Sequence, residues 1–147
     1  MPRLWLAAVG AAAVIACGDA TSDGGPNDLF PDVAGVYAME GDFDAVPTED
    51  ASFTGTVTIE QESLESSLLG GTADITLITD AGNLVINDAE LQDASVTLAG
   101  EVTFTILSPA DNATWSFTGE RAGNLLEGQH TLTVGSESRT GDWSAER

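Results

Sequence analysis

Residues 96–106 alternate without a break: Val96, Leu98, Gly100, Val102, Phe104 and Ile106 on one phase, Thr97, Ala99, Glu101, Thr103 and Thr105 on the other. A period of two belongs to an extended strand with one dry face and one wet face. The same phase recurs in Phe53–Ile59, Trp115–Gly119, Leu126–Val134 and Gly141–Ala145, and more weakly in Ala34–Glu40, Thr72–Thr79 and Leu84–Ala89. The pattern therefore predicts eight strands.

The links between these runs are mostly short and rich in turn formers: Asp80–Asn83, Ser108–Asn112, Arg121–Asn124 and Gly135–Ser138. Such links make hairpins, so neighbouring strands are expected to pair antiparallel as a meander. Two links are longer. Gly41–Asp50 reads as an acidic loop, and Gln61–Gly70 as the one place for a helical turn, through Leu64 and Leu68. Gly55, Gly100, Gly119, Gly128 and Gly141 all fall in the apolar phase of their runs, which points to sharply bent strands with close backbone approach. The expected fold is all-β: an up-and-down meander closing into a small barrel, which also removes exposed edges. A two-sheet β-sandwich is the alternative.

The amino terminus follows another logic. Met1-Pro2-Arg3 supplies a positive charge, and thirteen apolar residues run from Leu4 to Ala16 and end in small side chains. At 1.5 Å per residue such a stretch covers about 20 Å as a helix, less than the ~30 Å hydrocarbon core. It has the layout of an export signal instead. Val14-Ile15-Ala16-Cys17 resembles, position by position, the lipobox of bacterial lipoproteins. The resemblance implies cleavage after Ala16, a diacylglyceryl group on the Cys17 sulfur and acylation of the new amino terminus. Cys17 is the only cysteine, so no internal disulfide is possible, and lipidation accounts for a thiol in an exported chain. The expected organisation is a signal peptide at 1–16, a lipidated cysteine with a Gly-, Asp- and Ser-rich tether at 17–32, and one barrel domain at 33–147. The expected location is the bacterial cell envelope, with the domain anchored on the extracytoplasmic side of a membrane.

Charge narrows the partners. The chain carries 24 Asp plus Glu against 4 Lys plus Arg, and Arg3 lies in the segment that cleavage discards. The three remaining cations are Arg121, Arg139 and Arg147. Nucleic acid and anionic headgroups are bound by clustered Lys and Arg, so neither is an expected partner of this surface. Attachment to a membrane would come from the anchor.

Gly35-Val36-Tyr37 at the first strand and Arg147 at the end of the last loosely resemble the Gly-x-Trp and closing arginine of lipocalins, with Tyr37 in place of tryptophan. That resemblance implies a barrel whose lumen holds a small apolar ligand. Phe53, Phe104, Trp115, Phe117 and Trp143 would line the lumen and His130, the only histidine, would be its polar contact. The same residues serve equally as a packed core. Asp42, Asp44, Glu49 and Asp50 place four carboxylates in one loop, a weak calcium candidate, although solvated loop charges explain them as well. No nucleophile elbow, phosphate loop or Cys-x-x-Cys is present, and no catalytic residue or cofactor is expected. Two functions stay open: a structural or protein-interaction lipoprotein with an envelope partner, or a carrier of a small apolar ligand.

Overall fold

A computed structural model describes residues 29–44 and 50–147. Eight strands form in sequence: β1 (Gly35–Asp42), β2 (Ala51–Glu60), β3 (Gly70–Thr79), β4 (Gly82–Val96), β5 (Glu101–Ser108), β6 (Ala113–Ala122), β7 (Leu125–Val134) and β8 (Glu137–Glu146). Each pairs antiparallel with the next, and β8 returns to β1, so the meander closes into a barrel rather than a sandwich. The closing seam is short, running from Ala38↔Glu146 to Gly41↔Trp143. Among the described residues no helix is long and apolar enough to cross a membrane.

Alternation turns directly into burial. In β6, Ala113, Trp115, Phe117 and Gly119 point inward and are buried, while Thr114, Ser116, Thr118 and Glu120 are exposed. Curvature has local causes. β4 carries two bulges against its neighbours, one on each side, and each contains an aspartate at positive φ, Asp88 and Asp93, both at 50°. Aspartate tolerates this left-handed conformation, and at the first bulge the Asp74 carboxylate accepts the Asp88 N–H at 2.8 Å. On the opposite wall Gly119 and Gly128 face each other across β6 and β7. A Cβ at Gly119 would lie 2.7 Å from the Trp143 ring, and one at Gly128 would strike the Thr118 carbonyl. These glycines admit a tight bend and a large indole together.

Three expectations need correction. The run from Val96 to Ile106 is not one strand: Val96 ends β4, Glu101 begins β5, and Thr97–Gly100 is a turn. The Thr97 hydroxyl accepts the Glu101 N–H at 3.1 Å, and Gly100 takes a φ of 91°. A four-residue turn preserves the phase of two, so the alternation runs through it unbroken. Gly100 is therefore a turn residue, not an inward glycine.

The helical turn expected at Gln61–Gly70 does not form. The Ser63 and Ser66 hydroxyls accept the N–H groups of Glu65 and Leu68, which competes with helix formation, and the Leu69 N–H bonds the Ala94 carbonyl in the sheet. The helical residues are instead the 3-10 turn Pro109–Asp111, inside the link read as a plain hairpin turn. Proline pre-sets φ there, and Asn112 ends the turn in the left-handed region at a φ of 50°.

The two ends of the barrel differ in their connections. One, the entry end, receives segment 29–34 and releases Arg147, and it also carries the β2–β3, β4–β5 and β6–β7 links. The far end carries the β1–β2, β3–β4, β5–β6 and β7–β8 links.

Candidate functional site

The inward phase of β2, β5, β6, β7 and β8 brings Phe53, Phe104, Trp115, Phe117, His130 and Trp143 into one cluster, each at most 3 % exposed. Phe104 stacks on Phe117 with centroids 4.8 Å apart, and Trp115 stacks on Phe117 at 5.4 Å. Phe53 meets Trp115 and His130 edge-on at 4.8 and 4.9 Å. Such pairs each contribute about 0.5–1.5 kcal/mol beyond the area they bury. All six residues expected at the lumen are thus brought together, in a cluster of rings in mutual contact.

His130 has both ring nitrogens engaged. The Trp115 indole N–H donates to His130 Nδ1 at 3.0 Å, and His130 Nε2 lies 2.7 Å from the Asp42 carbonyl oxygen. An indole can only donate and a carbonyl can only accept, which assigns the proton to Nε2 and leaves Nδ1 as the acceptor. The neutral ring fits this environment. Burial pushes the imidazole below its ordinary value, partly opposed by the bond to Asp42 and by the Asp42, Asp142 and Asp44 carboxylates. A second proton, on Nδ1, would face the indole N–H.

Phe43, in the segment expected as an acidic loop, is a further member of the site. It follows Tyr37, Met39 and Gly41 in the inward phase, and that continuation of the period past the end of β1 is the available signal. Its ring sits over the cluster at the far end, 4.7 Å edge-on to His130 and 5.9 Å from Trp115. The adjoining chain is pinned to β8, since the Asp44 N–H donates to the Thr140 carbonyl at 2.8 Å and the Thr140 hydroxyl to the Asp44 carboxylate at 2.7 Å. Around Phe43 the far mouth holds a cavity of about 250 Å³, with Leu77, Leu132 and Val134 on its walls and Arg139 at its rim. Below it, against Trp115 and Ile106, lies a void of about 30 Å³, the space of roughly one water. Gly55, Gly119, Gly128 and Gly141 leave no room in the lumen, because a Cβ on any of them would meet backbone or the Trp143 indole.

Of the acidic-loop carboxylates only Asp42, Asp44 and Asp50 are described, and these three do not gather as a metal-holding group. The Asp44 carboxylate is spent on Thr140, the Asp42 carbonyl on His130, and Glu49 lies outside the described residues. Asp50 is exposed. Among the described residues no three His, Cys, Asp or Glu side chains gather to hold a metal ion. Elsewhere on the outer wall a broad groove of about 980 Å³ runs over β1, β6, β7 and β8, edged by Glu40, Asp42, Glu120, Glu127 and Asp142. Glu101 pairs with Glu120 and Glu120 with Glu127 across the strands, a ladder of like charges on the wet face. Cross-strand like charges destabilise a sheet, so this face is held by the core beneath it.

The entry end is closed by the chain itself. Val33 has no exposed surface, and the Tyr37 hydroxyl donates to its carbonyl at 2.9 Å. The Arg147 guanidinium lies 5.9 Å over the Tyr37 ring and donates to the Ala34 carbonyl at 2.6 Å. Burial raises the Tyr37 phenol above its ordinary value, with Arg147 acting against that rise. Phe30, within the stretch read as tether, packs against the core, and its N–H donates to the Leu64 carbonyl at 2.7 Å. Cys17 and the rest of the lipobox lie outside the described residues.

Fold and site together define a class: a small antiparallel eight-stranded β-barrel with an aromatic, side-chain-filled lumen. No protein-family model, curated protein or solved structure matches the chain.

Proposed function

We propose that this protein is a non-catalytic lipoprotein of a bacterial cell envelope, held to a membrane through Cys17 and presenting its acidic barrel to another envelope component. The single observation that carries the non-catalytic, interaction reading is the spent histidine. His130, the only histidine and the polar contact expected for a ligand in the lumen, has both nitrogens bonded inside the barrel. The lipobox resemblance supports the anchor, and the acidic outer wall supports a partner with a basic surface.

The test is expression of the whole chain in a bacterium that exports and lipidates proteins, followed by intact mass. The expected product begins at Cys17 and carries diacylglyceryl and acyl mass, and Cys17→Ser releases it from the membrane fraction. A product that is membrane-free and bears no lipid would defeat the reading.

A second reading has its own observation, the mouth cavity of about 250 Å³ with apolar walls and Arg139 on its rim. It would take a small apolar molecule at the mouth instead of deep in the lumen. Native mass spectrometry distinguishes the two. Cargo that leaves on denaturation and is excluded by Val134→Trp establishes the carrier.

A further inference from the structure

The links at the entry end are set with exposed leucines. Leu29 is 58 % exposed, Leu64 39 %, Leu68 71 % and Leu98 40 %. They sit on segment 29–34, the β2–β3 link and the β4–β5 turn. These three pieces are knit together: Phe30 N–H bonds Leu64 O, Val96 N–H bonds Ser67 O, and Leu69 N–H bonds Ala94 O. The leucines are therefore held on one end of the barrel by backbone bonds. At the far end the exposed large apolar side chains, Ile78, Val85, Leu107 and Val134, lie on the strands, and none of the described link residues is one.

Scattered exposed leucines are ordinary on a protein surface. The position of these is not. Eleven residues separate Cys17 from Leu29, a span of at most about 40 Å even at full extension. The chain enters the barrel among the leucines, so a lipid on Cys17 delivers this end to the bilayer first. Once the anchor is inserted, contact between this end and the membrane is intramolecular, and a tether this short sustains an effective concentration near the millimolar range. Side chains too few to bind a bilayer from solution suffice under that condition.

We infer that the entry end is a membrane-docking face, whose Leu29, Leu64, Leu68 and Leu98 side chains enter the headgroup–acyl boundary of the bilayer that holds the anchor. This rests on the lipoprotein reading above. It fixes the orientation of the domain: barrel axis upright, acidic wall at the side, mouth and Phe43 outward. Electrostatics works against docking, because Asp32, Glu62 and Glu65, all exposed, lie beside the leucines. Contact is thus strongest on zwitterionic lipid, is weakened by anionic lipid, and is restored there by salt.

The experiment uses the full lipidated chain in phosphatidylcholine vesicles containing acyl-chain-brominated lipid. Ala99→Cys at the entry end or Ala110→Cys at the far end carries an environment-sensitive dye, each side chain being exposed. Quenching is expected at position 99 and not at 110, and L68S/L98S is expected to reduce it about tenfold. Both substituted leucines are exposed, and near-ultraviolet circular dichroism verifies that the core is kept. Equal, weak quenching at both positions, with lipid mass present on Cys17, would overturn the docking and leave the anchor standing. Absence of lipid on Cys17 would remove both, and the mass spectrum tells these failures apart. Concentration-dependent dimers abolished by L68S/L98S, without quenching, would assign the face to a second copy and overturn the inference.

Discussion

The two ends of the barrel solve the same problem by different means. A small barrel must seal its apolar lumen at both mouths. At the entry end the chain seals itself: Val33 is fully buried, Tyr37 bonds back to it, and Arg147 lies across the tyrosine while holding Ala34. At the far end a single ring, Phe43, rests over His130 and Trp115 beside an open cavity. One seal is built from backbone bonds and a guanidinium clamp, the other from a side chain on a short extension of β1. The links reverse the contrast, with leucines around the tight seal and turn residues around the loose one. The end that is structurally closed carries its exposed leucines on its links. The end that keeps a cavity has polar turns and carries Ile78, Leu107 and Val134 on its strand ends.

The most damaging way to break the comparison is to remove the floor beneath Phe43. Trp115→Ala is expected to cost about 3–5 kcal/mol, measured by urea denaturation, since it empties a large buried site and orphans His130 Nδ1. Trp115→Phe keeps most of the packing and loses the bond, and its expected cost is about 1–3 kcal/mol. Equal destabilisation by both would show that the lost hydrogen bond, and not the packing, sets the cost.

Acid provides a softer probe of the far end. The folded pKa of His130 is depressed, so the unfolded chain binds more protons just below the ordinary value near 6.5. Stability from this group is complete above that value and is lost as pH falls toward the folded pKa. The expected observation is a urea midpoint that declines over that window in the native chain and flattens there in His130→Phe. The protection of the Asp44 amide, relative to its intrinsic exchange rate, is expected to fall over the same window, because a proton on Nδ1 faces the Trp115 N–H and displaces the ring whose Nε2–H holds the end of β1.

At the entry end, Arg147→Met is expected to cost about 1 kcal/mol through the lost carbonyl bond and cation–π contact, with no change in that acid profile. The smallest effect should have the opposite sign. Glu120→Thr removes the middle of the Glu101–Glu120–Glu127 ladder and is expected to stabilise by about 0.2–1 kcal/mol, less in high salt, by thermal melts at two ionic strengths.

How much of this is legible in the sequence depends on whether a feature lives in the local period or in the register. The inward set of β6, Trp115, Phe117 and Gly119, is written in alternation. The break at Thr97–Gly100 is not, because an even-numbered turn keeps the phase and every apolar residue stays in step. Leu64 and Leu68 carry helical spacing, yet neighbouring serine hydroxyls and a sheet partner take the backbone groups a helix would need. His130 is recognisably inward, whereas its pairing with Trp115 follows from the β6–β7 register, which places Phe117 directly opposite and Trp115 two residues along. The glycines within the strands signal bends, but not that the Trp143 indole fills the space beside Gly119. A sequence shows that a side chain is missing, and not what moves in to replace it.

The strand order has a mechanical side. Tension entering through Leu29 and drawn along the barrel axis pulls β1 lengthwise past both neighbours. Its register pairs with β2, from Gly35↔Ile59 to Asp42↔Ser52, and the shorter set with β8, then carry the load together instead of opening in succession. Ahead of them the Ala34–Arg147 and Val33–Tyr37 bonds lie directly in the line of pull. The barrel is joined to its leader as a lap joint in shear, with a clamp fitted where the strain arrives first.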